Sequence, residues 1–309
     1  MAAPFTHEAL FYDDADEFLA GTVPFVRDGL AAGEPVLVAL GEAKQALLQG
    51  ELGADADAVQ FADMEAIGRN PARIIPVWRD FVATAGEDGA GVRGVGEPAW
   101  PGRSADELAE CDHHESLLNL AFADALGLTL LCPYDASAHG DDVLEAARRN
   151  HPTVVEHGES LTSEAYLAPE LAPSPLEAPL SAPPADAETL SFSTGDLPAI
   201  RGLVCEHAVG AGLDRQRTAD VVLAVNELAS NSMRHADGSG VLRVWGDDVA
   251  IHCQVEDAGR LEDPLLGRAR PTPTQEYGRG LWLVHQLCDL VQLRSGACGT
   301  VARVSMACA

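Results

Sequence analysis

Ala224-Val225-Asn226-Glu227-Leu228-Ala229-Ser230-Asn231-Ser232-Met233-Arg234-His235-Ala236 decides how the last third of this chain folds. Its apolar residues recur at the spacing of an amphipathic helix. Glu227 and Asn231 stand four positions apart, so on a helix they share one face. Val222, Leu223 and Leu228 are expected to pack behind them. A carboxylate beside a carboxamide can take up a proton and help place a hydrated Mg²⁺. The same pair also suits an ordinary solvated helix face, so it needs support from elsewhere in the sequence.

That support lies downstream. Asp257-Ala258-Gly259 follows an alternating strand pattern over residues 250–256, and Gly278-Arg279-Gly280-Leu281 leads into a helical pattern that reaches Leu287. Residues 190–192 and 241–245 read as strands, and 198–212 and 216–236 as helices. Residues 291–295 and 301–305 form a hairpin around Gly299-Thr300. Together these predict an α+β sandwich, an antiparallel-rich sheet with helices on one face.

Upstream the pattern changes. Helical stretches over residues 14–32, 43–52 and 105–126, and one opened by Asn70-Pro71, alternate with short apolar runs. The runs cover residues 36–40, 59–61, 92–97 and 128–133. Helices alternating with apolar strands predict an α/β domain whose mostly parallel sheet is covered on both faces. Between the halves, Pro169, Pro173, Pro175, Pro179, Pro183 and Pro184 remove backbone donors and fix φ. The expected domains are therefore 1–166 and 188–309, joined by a semi-rigid linker over 167–187.

The chain has 309 residues, enough for two separate cores. Its 48 acidic and 20 basic residues give a net charge of −28. That charge disfavours nucleic acid and anionic membranes as partners. The first residues carry neither a basic segment nor an apolar one, and no run of eighteen apolar residues occurs, so a cytoplasmic location is expected. None of the seven cysteines forms a CxxC pair, which argues against a zinc ribbon or a thioredoxin-like site.

In order and spacing, the three C-terminal motifs resemble the N, G1 and G2 boxes of the GHKL ATPases, the superfamily of histidine kinase catalytic domains, gyrase and Hsp90. The compact size and the Glu227-x-x-x-Asn231 form are most similar to the anti-sigma factor serine kinases (RsbW-like). The resemblance implies a Bergerat-type ATP-binding sandwich that uses ATP and Mg²⁺. It implies Asn231 as ligand of the Mg²⁺ that bridges the ATP phosphates, and Glu227 as the general base for an attacking hydroxyl. Asp257 would accept a hydrogen bond from the adenine amino group, and Gly259 would give room beside the purine. Gly278, Arg279, Gly280 and Leu281 would lie along the phosphates, where glycine allows close approach and a helix N-terminus favours anionic oxygens. Thr300 would touch the adenine side. Arg234 is a second candidate phosphate partner, and His235 suits either a phosphate donor or a helix-end cap. Each motif alone also fits a bland surface or turn; their joint order selects the nucleotide site.

The pattern departs from the family in two places. Leu261 stands where many relatives have the second G1 glycine. Residues 262–277, the expected ATP lid, read as irregular and carry Pro264, Pro271 and Pro273. No helical hairpin with a phospho-accepting histidine precedes the domain. The resemblance therefore implies a serine or threonine acceptor on a STAS anti-anti-sigma partner, with a sigma factor as the alternative target. A non-catalytic module that sequesters a sigma factor, and a split histidine kinase acting on a separate protein, remain open. Related kinase modules often form homodimers.

His7-Glu8-Ala9-Leu10-Phe11-Tyr12, Glu115-Ser116-Leu117-Leu118-Asn119 and Leu131-Cys132-Pro133-Tyr134-Asp135 resemble the MEDS sensory domain, a RecA-like α/β unit. The loop Gly41-Glu42-Ala43-Lys44-Gln45 lacks a Walker A pattern, so no ATP is expected here. Strand ends line ligand crevices in such sheets. The expected sensory pocket comprises His7, Cys132, Tyr134 and Asp135, with Glu97 and Glu115 beside it. Cys111-Asp112-His113-His114-Glu115 suggests metal ligands, but adjacent helical residues diverge: Cys111 and Glu115 share a face, and His113 does not.

Overall fold

The computed structural model describes residues 4–85, 91–125, 127–272 and 278–308. The chain divides into two compact units, residues 1–172 and 173–309.

In the first unit β1 (Thr6–Tyr12), β2 (Val36–Leu40), β3 (Val59–Asp63), β4 (Val92–Gly96), β5 (Leu128–Asp135) and β6 (Thr153–Glu156) pair in parallel. β7 (Glu159–Thr162) adds antiparallel at one edge, giving the order β3-β2-β4-β5-β1-β6-β7. The helices are α1 (Ala15–Ala31), α2 (Glu42–Leu52), α3 (Met64–Ile67), α4 (Ile74–Ala85), α5 (Ala105–Ala121) and α6 (Asp141–Asn150). Successive strand residues point to opposite faces. Leu10, Tyr12, Val38, Leu40 and Leu131 join the core beneath α1 and α2. Ala9, Phe11, Cys132 and Tyr134 join the one that includes Cys111 of α5 and Ala147 of α6.

Local chemistry sets the helix starts. The Asp14 carboxylate accepts from the Glu17 N–H at 2.9 Å, and Ser104 with Glu107 forms a capping box on α5. The helix expected over 105–126 ends at Ala121. Phe122 leaves helical geometry and is buried, and Gly127, at φ 82°, turns the chain into β5. Leu126 lies outside the described residues.

The second unit contains β8 (Glu188–Ser193), α7 (Leu197–Gly210), α8 (Arg215–His235), β9 (Ser239–Gly246), β10 (Ala250–Asp257), α9 (Arg279–Leu287), β11 (Leu290–Gly296) and β12 (Gly299–Ala307). Its antiparallel sheet runs β11-β12-β10-β9-β8. Ile251, Cys253 and Val255 share a core with Val204 of α7, Val225 and Leu228 of α8, and Val284 of α9. Truncating one such side chain to Ala typically costs about 2 to 5 kcal/mol. Leu223, expected to pack behind the Glu227 pair, is instead 41% exposed. It falls one position off the helix stripe formed by Val221, Val225 and Leu228.

The other sheet face is polar yet buried in part, with Gln254, Gln292 and Arg303 each almost fully covered. Arg303 donates to Gln254 Oε1 at 2.8 Å and to Ser181 Oγ at 2.9 Å. Leu176, in a short 3₁₀ turn, is buried as well. Residues 173–187 therefore lie against this unit, and their Ser181 satisfies a guanidinium that burial would otherwise penalise.

Candidate functional site

Asp214 caps helix α8, its carboxylate accepting from the Arg217 N–H at 2.8 Å. Its later turns carry Glu227 and Asn231 to the first turn of α9. A Cβ built on Gly280 would stand 2.7 Å from Glu227 Oε2 and 3.6 Å from Asn231 Nδ2. Glycine at 280 thus leaves the space that the acid and the amide occupy. Gly278 caps α9 at φ 84°, a left-handed conformation that glycine adopts without strain.

Asp257 closes β10. Its Oδ1 accepts from the Gly259 N–H at 2.8 Å, and its Oδ2 accepts from the Ser232 hydroxyl. Thr300 donates to the Gly259 carbonyl at 2.9 Å and lies 3.0 Å from Ser295 Oγ. The Leu261 N–H donates to that same Ser295 Oγ at 2.8 Å. The turn after Asp257, which lacks the second G1 glycine, is therefore fastened to β11 and β12.

All nine residues expected at the nucleotide site line one cavity of about 560 Å³: Glu227, Asn231, Asp257, Gly259, Gly278, Arg279, Gly280, Leu281 and Thr300. The size suits a small-molecule ligand. Val255, Leu266, Leu293 and Ala302 supply an apolar lining, and Arg234, Arg260 and Arg279 supply positive charge. His235 also borders the cavity. Residues 273–277, the end of the expected lid, lie outside the described residues. Ser232, Ser295 and Arg260 were not legible as site residues. Ser232 sits inside the diagnostic helix, but a lone hydroxyl there carries no spacing signal.

In the first unit the expected sensory residues separate. His7 and Cys132 meet beneath the helices, with Sγ 3.4 Å from His7 Nε2. Tyr134 lies close by, its ring 5.8 Å from that of His151. Burial first, and then the Glu115 carboxylate, push the Cys132 thiol and the Tyr134 phenol well above their ordinary pKa values. Asp135 is elsewhere, accepting from the Ser137 N–H at the end of β5. Glu97 instead meets Tyr12 and Lys44. Glu115 joins His7 at 3.0 Å. Cys111 donates to the Pro98 carbonyl at 3.2 Å, and His113 pairs with Glu110. Tyr134 also borders a second cavity, of about 320 Å³, against α5 and α6.

A parallel α/β domain and an antiparallel α+β unit thus follow one another along the chain. Residues 6–152 match the family model of the MEDS domain, described as the methanogen/methylotroph, DcmR sensory domain. Residues 190–306 match that of the histidine kinase-like ATPase domain. The chain therefore carries a MEDS domain followed by a histidine kinase-like ATPase domain. No curated protein matches it. Among solved structures it is similar to the RsbU and RsbW domains of Rv1364c from Mycobacterium tuberculosis, at 22% identity and a TM-score of 0.29. That likeness covers 38% of this chain and 31% of the other. No described helix is long and apolar enough to cross a membrane.

Proposed function

We propose that the second unit binds ATP with Mg²⁺ in its cavity and phosphorylates a serine or threonine of a STAS anti-anti-sigma partner. In the same reading it holds a sigma factor when that partner is absent, and the MEDS unit controls the exchange. The observation that carries this is the meeting of Glu227 and Asn231 at Gly280, in the cavity that also contains Asp257. The motif resemblance supplies the partner class.

The residues fit the implied groups. Beside Gly280 stand the Glu227 carboxylate and the Asn231 carboxamide, whose Oδ1 is 3.8 Å from a Cβ built there; that amide oxygen is a hard donor of the kind Mg²⁺ takes. Bound there, Mg²⁺ would neutralise phosphate charge. Asn231 would hold the ion, and the N–H groups at the start of α9 would favour the phosphate oxygens. Asp257, held by Ser232 and by the Gly259 N–H, offers an acceptor for an exocyclic amine. Glu227 takes the proton from the partner hydroxyl as its oxygen bonds to the γ-phosphorus and the bond to the ADP oxygen breaks.

The test mixes the full chain with a STAS protein from the same cell and γ-labelled ATP. Acid-stable label on a serine or threonine, lost in Glu227→Ala, supports the reading. Binding of ATP and of a sigma factor with no transfer replaces it with a sequestering module. Acid-labile label on the partner replaces it with a histidine kinase.

A further inference from the structure

We propose that the first unit holds a divalent ion of the Zn²⁺ class between His7, Glu115, Cys132 and His151. These residues come from β1, α5, β5 and the residue just after α6, so no spacing motif announces them. One candidate ligand atom from each lies within 4.8 Å of all the others, and all four side chains are buried. His7 Nε2 is 3.0 Å from Glu115 Oε2 and 3.4 Å from Cys132 Sγ. Glu115 Oε2 is 3.4 Å from His151 Nε2 and 3.6 Å from Cys132 Sγ. Four ligands at Zn–N, Zn–O and Zn–S bond lengths of about 2.0 to 2.3 Å stand at separations of about 3.3 to 3.8 Å on a tetrahedron. The four separations given fall within about 0.3 Å of that range, and the two remaining, from His151 to His7 and to Cys132, are under 4.8 Å.

The far side of each imidazole is already engaged. His7 Nδ1 lies 3.1 Å from Asn119 Oδ1, and His151 Nδ1 lies 2.7 Å from the Ala147 carbonyl. Both contacts place the ring proton on Nδ1 and turn the Nε2 lone pair toward the centre, the arrangement that orients metal-bound histidines. Among the described residues, His151 Nε2 and Glu115 Oε1 are buried with no hydrogen-bond partner. A single shared proton would serve one Nε2 and leave the other facing a carboxylate oxygen. A divalent ion serves both, and with one thiolate, one carboxylate and two neutral imidazoles its site has zero net charge. That minimises the cost of burying it. Binding replaces the Cys132 S–H bond with an S–metal bond and releases that proton to solvent. Mixed N, S and O ligands favour Zn²⁺ over Mg²⁺ or Ca²⁺.

The test uses the full chain, stripped with chelator and then given Zn²⁺ or Co²⁺. The expected result is about one tightly held ion per chain, as for a closed four-ligand site. The Co²⁺ form should show thiolate-to-metal charge transfer and tetrahedral d–d bands. Cys132→Ser should abolish the charge-transfer band, while Cys111→Ser, whose sulfur contacts Pro98 instead, should keep it. If Cys132→Ser fails to fold, His151→Gln serves as the second variant and should lower zinc retention at least tenfold. A natively folded wild type that takes up no stoichiometric ion overturns the proposal. A charge-transfer band that survives Cys132→Ser overturns it too. Both outcomes are independent of any phosphoryl transfer by the second unit.

Discussion

Gly299 lies so close to the Asp257 carbonyl that a Cβ there would come within 2.1 Å of its oxygen. Its φ of 112° adds a conformation that other residues rarely adopt. The glycine therefore sets how near the final strand approaches the acid of the candidate adenine pocket. Gly299→Ala is expected to destabilise the second unit by about 2 to 4 kcal/mol. Gly296→Ala, across the same hairpin with nothing within 4 Å, is the control and should shift stability by no more than about 0.5 kcal/mol. Denaturant unfolding of the two variants decides it; equal midpoints would refute the contact.

The Asp257 carboxylate is held by two donors, the Ser232 hydroxyl and the Gly259 N–H. Asp257→Asn puts an amide donor where the proposed adenine donor needs an acceptor. ATP affinity should fall about 10- to 100-fold, or roughly 1.4 to 2.8 kcal/mol. Ser232→Ala leaves the carboxylate in place but less fixed, and should cost about 1 kcal/mol. Titration with ATP and GTP reads both, and the preference for adenine should shrink in step. Unchanged ATP affinity in Asp257→Asn would move the base elsewhere.

Glu227 and Asn231 share a helix face but are assigned different tasks. Glu227→Gln keeps the shape and removes the base, so nucleotide binding should change little while transfer falls about 10² to 10⁴-fold. Asn231→Ala should weaken nucleotide binding in the presence of Mg²⁺ and leave metal-free binding nearly unchanged. Affinities measured with and without the metal, set beside transfer rates, separate the two roles. A matching loss of binding in both variants would show a single structural role instead.

The second site's elements were legible because Glu227, Asn231, Asp257 and Gly280 sit in short ordered motifs, each on one helix or strand end. The Ser232 and Ser295 contacts depend on tertiary approach, which periodicity does not encode. In the first unit, β2, β4 and β5 read as apolar runs because both faces of a parallel sheet are buried. β1 was harder, since it begins with three polar residues, Thr6, His7 and Glu8. Helix α6 escaped because its first turn is acidic and its buried residues, Ala146 and Ala147, are small. His151 could not be joined to His7 from sequence: 144 positions separate them, and only the parallel pairing of β1 with β5 and β6 brings them together.

Lys44, absent any Walker A loop, has a different partner to serve. Its ammonium meets Glu97, which is 2% exposed and also accepts from the Tyr12 hydroxyl at 2.9 Å. Burial pushes the Glu97 carboxyl above its ordinary 4.5, although Lys44 and the Tyr12 hydrogen bond pull it back. A raised folded value means that the folded chain binds this proton more readily than the unfolded one. The stability linked to it is fully present below 4.5 and is lost as pH rises through the folded value. Lys44→Met removes the main charge that favours the carboxylate, so the folded value rises further. The variant should be less stable by about 3 kcal/mol at neutral pH, the cost of stranding a buried charge. That deficit should shrink as pH falls toward 4.5, where Glu97 becomes neutral in both proteins. Adding Glu97→Gln to Lys44→Met removes the stranded charge and should restore much of the loss at neutral pH. Urea unfolding of the first unit across this pH range provides the measurement. A deficit that stays constant with pH, and that Glu97→Gln does not relieve, would show that Lys44 contributes packing rather than charge.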